Sequence, residues 1–227
     1  MTPEALLARI LYRDALMLVI DKPAGLPVHA GPGGGANLEQ YFDALRFGLP
    51  QPPALAHRLD RDTSGCLILG RQRRSLSRLG KLFQAGGVGK TYWAVTKGVP
   101  AAREGTVDLA LRKQTRKTGW LMVPDRAGQA AVTDYRVVAE GGGLGFVELH
   151  PRTGRTHQIR VHLQALGCPI LGDPVYGEPP APGEVLHLHS RAVVVPLYEK
   201  KPAIAITAPL PPHMAATFRA AGFPVEG

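Results

Sequence analysis

The segment HRLDRDTSG, from His57 to Gly65, places two carboxylates and two guanidinium groups between apolar runs that have the composition of β-strands. Arginine favours the ionised form of a neighbouring carboxylate, and this is the form that a nucleophile or a base requires. Loops that a rigid sheet holds in place often carry reactive groups. A polar turn, in which Asp60 and Asp62 only accept hydrogen bonds from backbone amides, explains the same residues.

A second polar segment, HPRTGRTHQIRVHL, runs from His150 to Leu163. If a helix begins at Thr156, the spacing of three and four residues puts His157, Arg160 and Gln164 on one face. The apolar residues of another face, which would pack inward, are Ile159, Leu163 and Leu166. A row of His, Arg and Gln suits an anion or a polar ligand, and a solvated helix face is the alternative.

Two other patterns suggest cofactors. Gly31, Gly33 and Ala36 match the GxGxxA fingerprint of dinucleotide-binding proteins, which makes a nucleotide-dependent oxidoreductase one rival interpretation. The preceding strand is predicted to end near Asp21, too early for a tight strand–helix turn, and no acidic residue follows at the required separation. His187 and His189 alternate on a strand, but no HExxH motif accompanies them, so we expect no metal site.

The composition favours a protein that contacts phosphate groups. Lys and Arg number 27 against 18 acidic residues, a formal net charge of +9, and such an excess is common in proteins that bind nucleic acids or anionic membranes. The two cysteines, Cys66 and Cys168, form no CxxC pair, which argues against disulfides and cysteine zinc sites. Neither a signal-peptide pattern nor an apolar stretch of membrane-spanning length occurs, so we expect a cytoplasmic protein.

The elements that must position these residues follow from periodicity and turn residues. Strands are predicted at Ala15–Pro23, Ala54–His57, Cys66–Leu69, Lys90–Gly98, Gly119–Pro124, Leu186–Leu197 and Ala203–Leu210, with a hairpin around Gly141–Gly145. Helices are predicted after a cap at Asn37, over Arg73–Gln84, and before Gly167. Since strands outnumber helices and several form hairpins, we predict an α+β fold with a mixed, mostly antiparallel sheet, in a single domain over residues 1–227.

The segment HRLDRDTSG resembles the signature HRLDxxTSG of the RluA-type pseudouridine synthase family. Other segments that resemble family motifs occur in the same order: DKPAGLPVH at Asp21–His29, KTYWAVTKG at Lys90–Gly98, TGRTHQIRVHL at Thr153–Leu163 and LGDPVYG at Leu171–Gly177. Five matches in order span most of the chain and are highly specific. The resemblance is to the short form of the family, which lacks an S4 domain.

This resemblance implies a reaction and a fold. The reaction is the isomerisation of specific uridines in structured RNA (rRNA, tRNA or both) to pseudouridine, in which the glycosidic bond moves from N1 to C5 of a flipped-out base. The fold is a mostly antiparallel sheet in two halves flanked by helices, with a central catalytic cleft. Because the reaction involves neither redox change nor hydrolysis, we expect no cofactor or metal. RNA is the expected partner of a monomer that needs no membrane or obligate protein partner.

The resemblance also implies the roles of individual residues. Asp60 matches the catalytic aspartate, Tyr92 the active-site tyrosine that helps to remove the C5 proton, and Arg160 the basic partner of the aspartate. The residues that would contact the substrate are Ile159 at the base, Arg58 in the gap left by the flipped nucleotide, and Arg61, Arg155 and His157. Two routes stay open for Asp60, attack at C1′ or abstraction of a sugar proton to give a glycal.

One further alternative is a non-catalytic RNA-binding protein that keeps the fold. It is disfavoured because Asp60, Tyr92 and Arg160 are present together. For either kind of protein, cationic residues in and just before the predicted basic helix would bind phosphate groups. These residues are Arg71, Arg73, Arg74 and Arg78. Affinity for RNA should then fall steeply with salt.

Overall fold

A computed structural model describes residues 1–31, 34–117 and 119–224. The strands are β1 (Ile10–Arg13), β2 (Met17–Lys22), β3 (Ala54–Leu55), β4 (Ser64–Gly70), β5 (Gly89–Lys97), β6 (Glu104–Asp108), β7 (Leu111–Arg116), β8 (Gly119–Pro124), β9 (Val132–Gly141), β10 (Leu144–Pro151), β11 (Leu188–Val195) and β12 (Ile204–Thr207). The helices are α1 (Pro3–Leu7), α2 (Arg73–Gln84), α3 (Gln158–Ala165) and α4 (Pro212–Ala221), together with a 3-10 helix at Leu38–Leu45.

The chain divides into two compact units, and each combines helices with antiparallel strands. Unit 1 comprises Met1–Lys90 and Ser190–Pro209, and unit 2 comprises Thr91–His189 and Leu210–Gly227. The pairings of β1 with β2, β2 with β4, β5 with β10, and β9 with both β10 and β6 are all antiparallel. The predicted α+β class with a mostly antiparallel sheet is confirmed. A single domain over residues 1–227 stays a prediction.

The central strands of unit 1, β2 and β4, are buried on both faces. The strand order of this unit is β1-β2-β4-β11, with β3 on β4 and β12 on β11. All seven residues of β4 are buried, which explains why SGCLILG carries a continuous apolar run and no alternation. Helix α2 packs closely against the end of β4. A Cβ atom at Gly70 would lie only 2.9 Å from the Cα of Leu76, so a glycine is required there for this approach.

Unit 2 has an aromatic core and a separate hairpin. Strands β5, β10, β9 and β6 are neighbours in that order, and Trp93, Phe146 and Phe218 pack together with ring centroids 4.7–6.1 Å apart. The β7–β8 hairpin forms its own two-stranded sheet. Its buried residues Leu111, Leu121 and Met122 pack in one cluster with Val161 of α3 and with Tyr176, so the core of this cluster joins α3 to the hairpin.

Several elements differ from the sequence-based predictions. Asn37 makes no side-chain cap bond, and the segment after it is a 3-10 helix. The helix predicted from Thr156 begins at Gln158, because the backbone of His157 is left-handed, with φ 55°. The elements that periodicity did not indicate are α1, β1, β6, β7 and α4. Strand β7 shows no apolar alternation, because five of its six residues are exposed.

Both cysteines are free and buried. Burial raises the pKa of the Cys66 thiol to about 12 and that of the Cys168 thiol to about 11. The two thiols therefore stay protonated and lie within the packed interior of their units. None of the helices in the described ranges is both long and apolar enough to cross a membrane.

Candidate active site

The loop that carries Asp60 is held between β3 and β4. Asp60 is half-buried, and its carbonyl accepts a hydrogen bond of 3.2 Å from the amide of Thr63, which closes a turn. Thr63 and Ser64 are buried, and Gly65, with φ 102°, allows the chain to enter β4 from this turn. A completely buried strand thus anchors the loop directly after the carboxylate.

Lys22, at the end of β2, is a fully buried cation. Its Nζ donates three hydrogen bonds, of 2.7 Å to Pro23 O, 2.8 Å to Leu26 O and 2.8 Å to Arg61 O. Burial lowers its pKa to about 8, against the opposing charges of Asp62, Asp60 and Asp21. Lys22 is therefore mostly charged near neutral pH. Through its hydrogen bond to Arg61 O, Lys22 fixes the loop at the residue after Asp60.

His57 is an uncharged structural residue of this loop. Its Nε2 accepts a hydrogen bond of 3.0 Å from the amide of Ile68, and its ring lies 4.7 Å from the ring of Phe83. Burial, with a smaller contribution from the Lys90 ammonium group, lowers its pKa to about 4. Such an imidazole takes up no second proton near neutrality, and its contacts join the loop to β4 and α2.

The two arginines of the loop are exposed to solvent. Arg61 donates from Nε to Gly25 O at 3.2 Å and lies 3.7 Å from a carboxylate oxygen of Asp62. In unit 1 the structure therefore groups Arg58, Asp60 and Arg61 on one anchored loop, with Arg58 available to a large ligand.

The remaining predicted site residues belong to unit 2. Tyr92 lies on β5 opposite Leu149 of β10 and is 9% exposed, and Ile159 on α3 is also buried. Arg155 is exposed, and its Nε donates to Ala130 O at 3.0 Å. The predicted row of His157, Arg160 and Gln164 is wrong at its first member, because His157 precedes α3. Arg160 in that row is buried and Gln164 is exposed.

Arg160 is oriented by a buried carboxylate, Asp173. Its Nε and Nη2 donate to the two oxygens of Asp173 at 2.8 and 2.7 Å, the bidentate geometry that holds a guanidinium plane in one orientation. Burial by itself would raise the pKa of Asp173, but the Arg160 hydrogen bonds and charge and the amides of Val175 and Tyr176 hold that pKa below its usual range. Asp173 is thus an anion that positions Arg160.

The turn before α3 is held by the buried amide of Gln158. Its Oε1 accepts from the Thr153 hydroxyl at 2.7 Å and from the Arg155 amide at 3.0 Å, and its Nε2 donates to Val132 O at 3.0 Å. These contacts give the TGRTH segment one conformation. Arg155, His157, Ile159 and Arg160 consequently project from a rigid segment.

Sequence reasoning assigned no role to Lys22, Asp173, Tyr176 or Trp120. The signal for the first three was their place in the segments DKPAG and LGDPVYG, whereas the sequence around Trp120 indicates only a strand. In the part of the chain that the structure describes, no group of three or more His, Cys, Asp or Glu residues is arranged to hold a metal ion. Gly33 of the GxGxxA pattern lies outside the described residues.

The antiparallel α+β fold, with an aspartate on an anchored loop and a buried arginine fixed by a second carboxylate, suits an enzyme. A family model described as RNA pseudouridylate synthase matches residues 16–165. The chain belongs to this family of RNA pseudouridine synthases, which are isomerases.

Curated relatives agree with this assignment. An uncharacterized RNA pseudouridine synthase of Zymomonas mobilis is 46% identical over 206 residues, covering 89% of this chain and 94% of the relative. The mitochondrial pseudouridylate synthase RPUSD4 of Xenopus tropicalis is 32% identical over 259 residues, covering 93% of this chain and 80% of the relative.

Solved structures support the fold. The human RNA pseudouridylate synthase domain containing 4 protein superimposes with a TM-score of 0.84 at 30% identity, covering 99% of this chain and 97% of that one. The human domain containing 1 protein has a TM-score of 0.71 at 23% identity over 100% and 98% of the chains, which supports the fold alone. The predicted pseudouridine synthase fold is therefore confirmed.

Proposed function

We propose that the chain isomerises specific uridines of structured rRNA or tRNA to pseudouridine, with Asp60 as the nucleophile. The carboxylate attacks C1′ and forms an ester bond to it as the bond from C1′ to N1 breaks. The freed uracil anion rotates, and C5 bonds to C1′ as the ester bond breaks and releases the Asp60 carboxylate. C5 then loses its proton and N1 gains one, so the reaction consumes no oxidant, reductant or water. No cofactor is needed for this sequence of steps.

The observation that carries the proposal is the anchoring of the Asp60 loop. A nucleophilic carboxylate must be ionised and must approach its target in one orientation. The bond from the buried Lys22 to Arg61 O fixes the backbone directly after Asp60. A turn that only satisfied backbone amides would not require a desolvated lysine beneath it.

Tyr92 and Arg160 are proposed to complete the catalytic set. Tyr92 is buried on a regular strand, which restricts its ring to few orientations and suits contact with a flat base. Arg160 would act as the basic partner of the nucleophile, and the bidentate bond to Asp173 reduces the entropic cost of orienting it during the reaction. Ile159, Arg155, His157 and Arg61 are proposed substrate contacts.

Base flipping is proposed because a stacked uridine cannot reach a protein carboxylate. Extrusion costs about a few kcal/mol of stacking and pairing energy. A side chain inserted into the gap recovers part of this cost by stacking. Arg58 is exposed on the same loop as Asp60, and its guanidinium group could stack in the gap.

The basic residues in and just before α2 are proposed to bind phosphate groups, but they are not equivalent. Arg73 and Arg74 are exposed at the start of the helix. Arg71 donates to the carbonyls of Asp14 and Arg46, and Arg78 contacts Glu199. Arg73 and Arg74 are therefore the better candidates. We also propose that the protein acts in the cytoplasm as a monomer without an obligate protein partner.

The test is release of tritium from RNA labelled at C5 of uridine. Wild type should release label from bulk tRNA or rRNA, and Asp60→Asn should abolish release while it leaves RNA binding largely intact. Asp62→Asn is the matched control, because it removes the same charge from the same loop and should keep activity. Release by Asp60→Asn at the wild-type rate, or no release by wild type from any cellular RNA, would refute the proposed function.

The RNA and its modified position require a separate experiment. Pseudouridine mapping in RNA from a deletion strain should show missing sites that return on complementation with wild type and not with Asp60→Asn. Sites that return with Asp60→Asn would contradict the role of this carboxylate.

A further inference from the structure

The β7–β8 hairpin presents a cationic surface. Its exposed cations are Arg112, Lys113, Arg116 and Lys117, and residues 111–124 contain no acidic residue. Arg112 contacts Asp125 at 2.6 Å, just beyond the hairpin. The outer side of this hairpin is exposed and is not stabilised by packing. Its positive charge complements the phosphate groups of a nucleic acid.

An exposed tryptophan lies within this surface. Trp120 is 43% exposed, although large aromatic residues are usually buried. The Nζ of Lys113 lies 4.6 Å from the centroid of its ring. The ring of His157 is stacked on it, with a centroid distance of 5.2 Å and an interplanar angle of 18°. The indole is thus partly exposed, with one plane supported by the His157 ring, and the Lys113 side chain is the neighbour that a stacking base would displace.

The support under Trp120 reaches into the buried part of unit 2. The Nδ1 of His157 is 2.8 Å from the hydroxyl of Tyr176, which also accepts the amide of Met122 from β8 at 2.9 Å. The ring of Tyr176 lies 5.0 Å from Cζ of Arg160. His157 adopts a left-handed backbone to make these contacts, a conformation that persists in non-glycine residues only when the surroundings impose it.

We infer that Trp120 is a stacking platform for an unpaired base of the RNA substrate. Proteins that bind single-stranded RNA combine aromatic faces for the bases with cations for the backbone, and the hairpin has both. Lys113, Arg116 and Lys117 would bind the phosphates on either side. The inference rests on the proposed function for the identity of the ligand, but stacking can be measured without turnover.

The experiment is a titration of the full chain with a short single-stranded oligouridylate. Trp120 should report binding by quenched fluorescence, because Trp93, the other tryptophan, is only 6% exposed. Trp120→Ala should raise Kd about five-fold or more, as expected for loss of one base stack, and Trp120→Phe should recover most of the affinity. Trp120→Leu replaces Trp120→Ala if the latter fails to fold, as judged by circular dichroism.

Salt dependence separates stacking from charge. Lys113→Gln with Arg116→Gln should reduce the slope of log Kd against log salt by about 1 for each phosphate group that the hairpin no longer neutralises. Trp120→Ala should raise Kd and leave that slope unchanged. Phe47→Ala is the matched control, since Phe47 is 39% exposed and its ring centroid lies 4.0 Å from the Cζ of Arg13. This variant should leave Kd within two-fold of the wild-type value, a difference of about 0.4 kcal/mol in binding free energy.

Each outcome decides the inference. Unchanged Kd in Trp120→Ala, equal losses of affinity in Trp120→Ala and Phe47→Ala, or no quenching by the oligouridylate overturns it. A hairpin that binds only through charge, as it would an anionic vesicle or an acidic protein, gives a changed salt slope without a stacking loss, and this also overturns it. If wild type releases no tritium but Trp120→Ala still weakens binding, the platform stands and only the proposed function fails.

Discussion

Replacing Asp173 with asparagine tests whether its buried carboxylate positions Arg160 of α3. Asp173 is 1% and Arg160 is 4% exposed, and two short hydrogen bonds join them. Oδ1 of Asp173 also accepts the amides of Val175 and Tyr176, at 2.9 and 3.0 Å. An asparagine oxygen in the Oδ1 position can keep these two amide contacts and the bond from Arg160 Nη2, but its NH₂ group would face the Nε–H donor of Arg160.

The expected cost follows from the loss of one charge from a buried pair. Removing one partner of such a pair typically destabilises a protein by about 3–5 kcal/mol. We expect Asp173→Asn to fall in this range at neutral pH, measured by urea unfolding followed by circular dichroism. In a double-mutant cycle, Arg160→Gln should cost much less in the Asp173→Asn background, since two amide side chains can bond to each other.

Acid should lower the free energy of unfolding of the wild type by protonating Asp173, and Asp173→Asn should lack this contribution. The folded-state pKa of Asp173 is lowered, so its contribution is complete above the unfolded value of about 3.9 and is lost as pH falls through the folded value. Asp173→Asn should therefore show a shallower loss of stability in acid. If Asp173 orients Arg160 for catalysis as proposed, kcat of Asp173→Asn should also fall more than its KM rises, because an orienting contact matters most in the transition state.

An exposed pair provides the control. Arg152 binds Asp134 in the same bidentate manner, at 2.6 and 2.7 Å, but on the surface, where the two side chains are 63% and 31% exposed. Asp134→Asn should shift the urea midpoint far less than Asp173→Asn. A destabilisation below about 1 kcal/mol for Asp173→Asn, or additivity within about 0.5 kcal/mol in the cycle, would refute the positioning argument.

Two further predictions concern unit 1. The pKa of His57 is about 4 in the folded protein and about 6.5 in the unfolded chain. As pH falls from about 6.5 to about 4, the unfolded chain therefore binds a proton that the folded protein does not, and the free energy of unfolding should decline. His57→Gln should flatten this decline, measured as urea midpoints against pH, and an unchanged slope would contradict the assignment. Gly70→Ala should destabilise by about 1–3 kcal/mol because its Cβ would meet Leu76, whereas Gly80→Ala, which has open space in α2, should stabilise by up to about 1 kcal/mol. Thermal unfolding compares the pair, and equal effects would rule out the close approach of α2 to β4.

The elements that sequence predicted well are those whose burial pattern is regular along the chain. The bounds of α2 match the prediction because Leu76, Leu79 and Phe83 recur at helical spacing, and β8 matches because its apolar run ends at Pro124. The paired strand β7 gave no such signal, because only its first residue, Leu111, is buried and the rest of the strand is held by hydrogen bonding to β8.

The site divides in the same way. Asp60, Tyr92 and Arg160 could be named because family motifs contain them, and their catalytic roles remain predictions. The partners that fix them could not be read from sequence, because they depend on tertiary contacts. Lys22 reaches the carbonyl of Arg61 across 39 residues, and Arg160 reaches Asp173 across 13. No local periodicity links such positions.

The buried, protonated state of both thiols has a practical use. Maleimide reagents attack thiolates, so Cys66 and Cys168, with pKa values of about 12 and 11, should react slowly in the native protein. A cysteine introduced at an exposed position outside the proposed RNA contacts, such as Lys200, would then take a fluorophore selectively, without prior removal of either native cysteine. The enzyme is thereby suited to distance measurements by energy transfer to dye-labelled RNA.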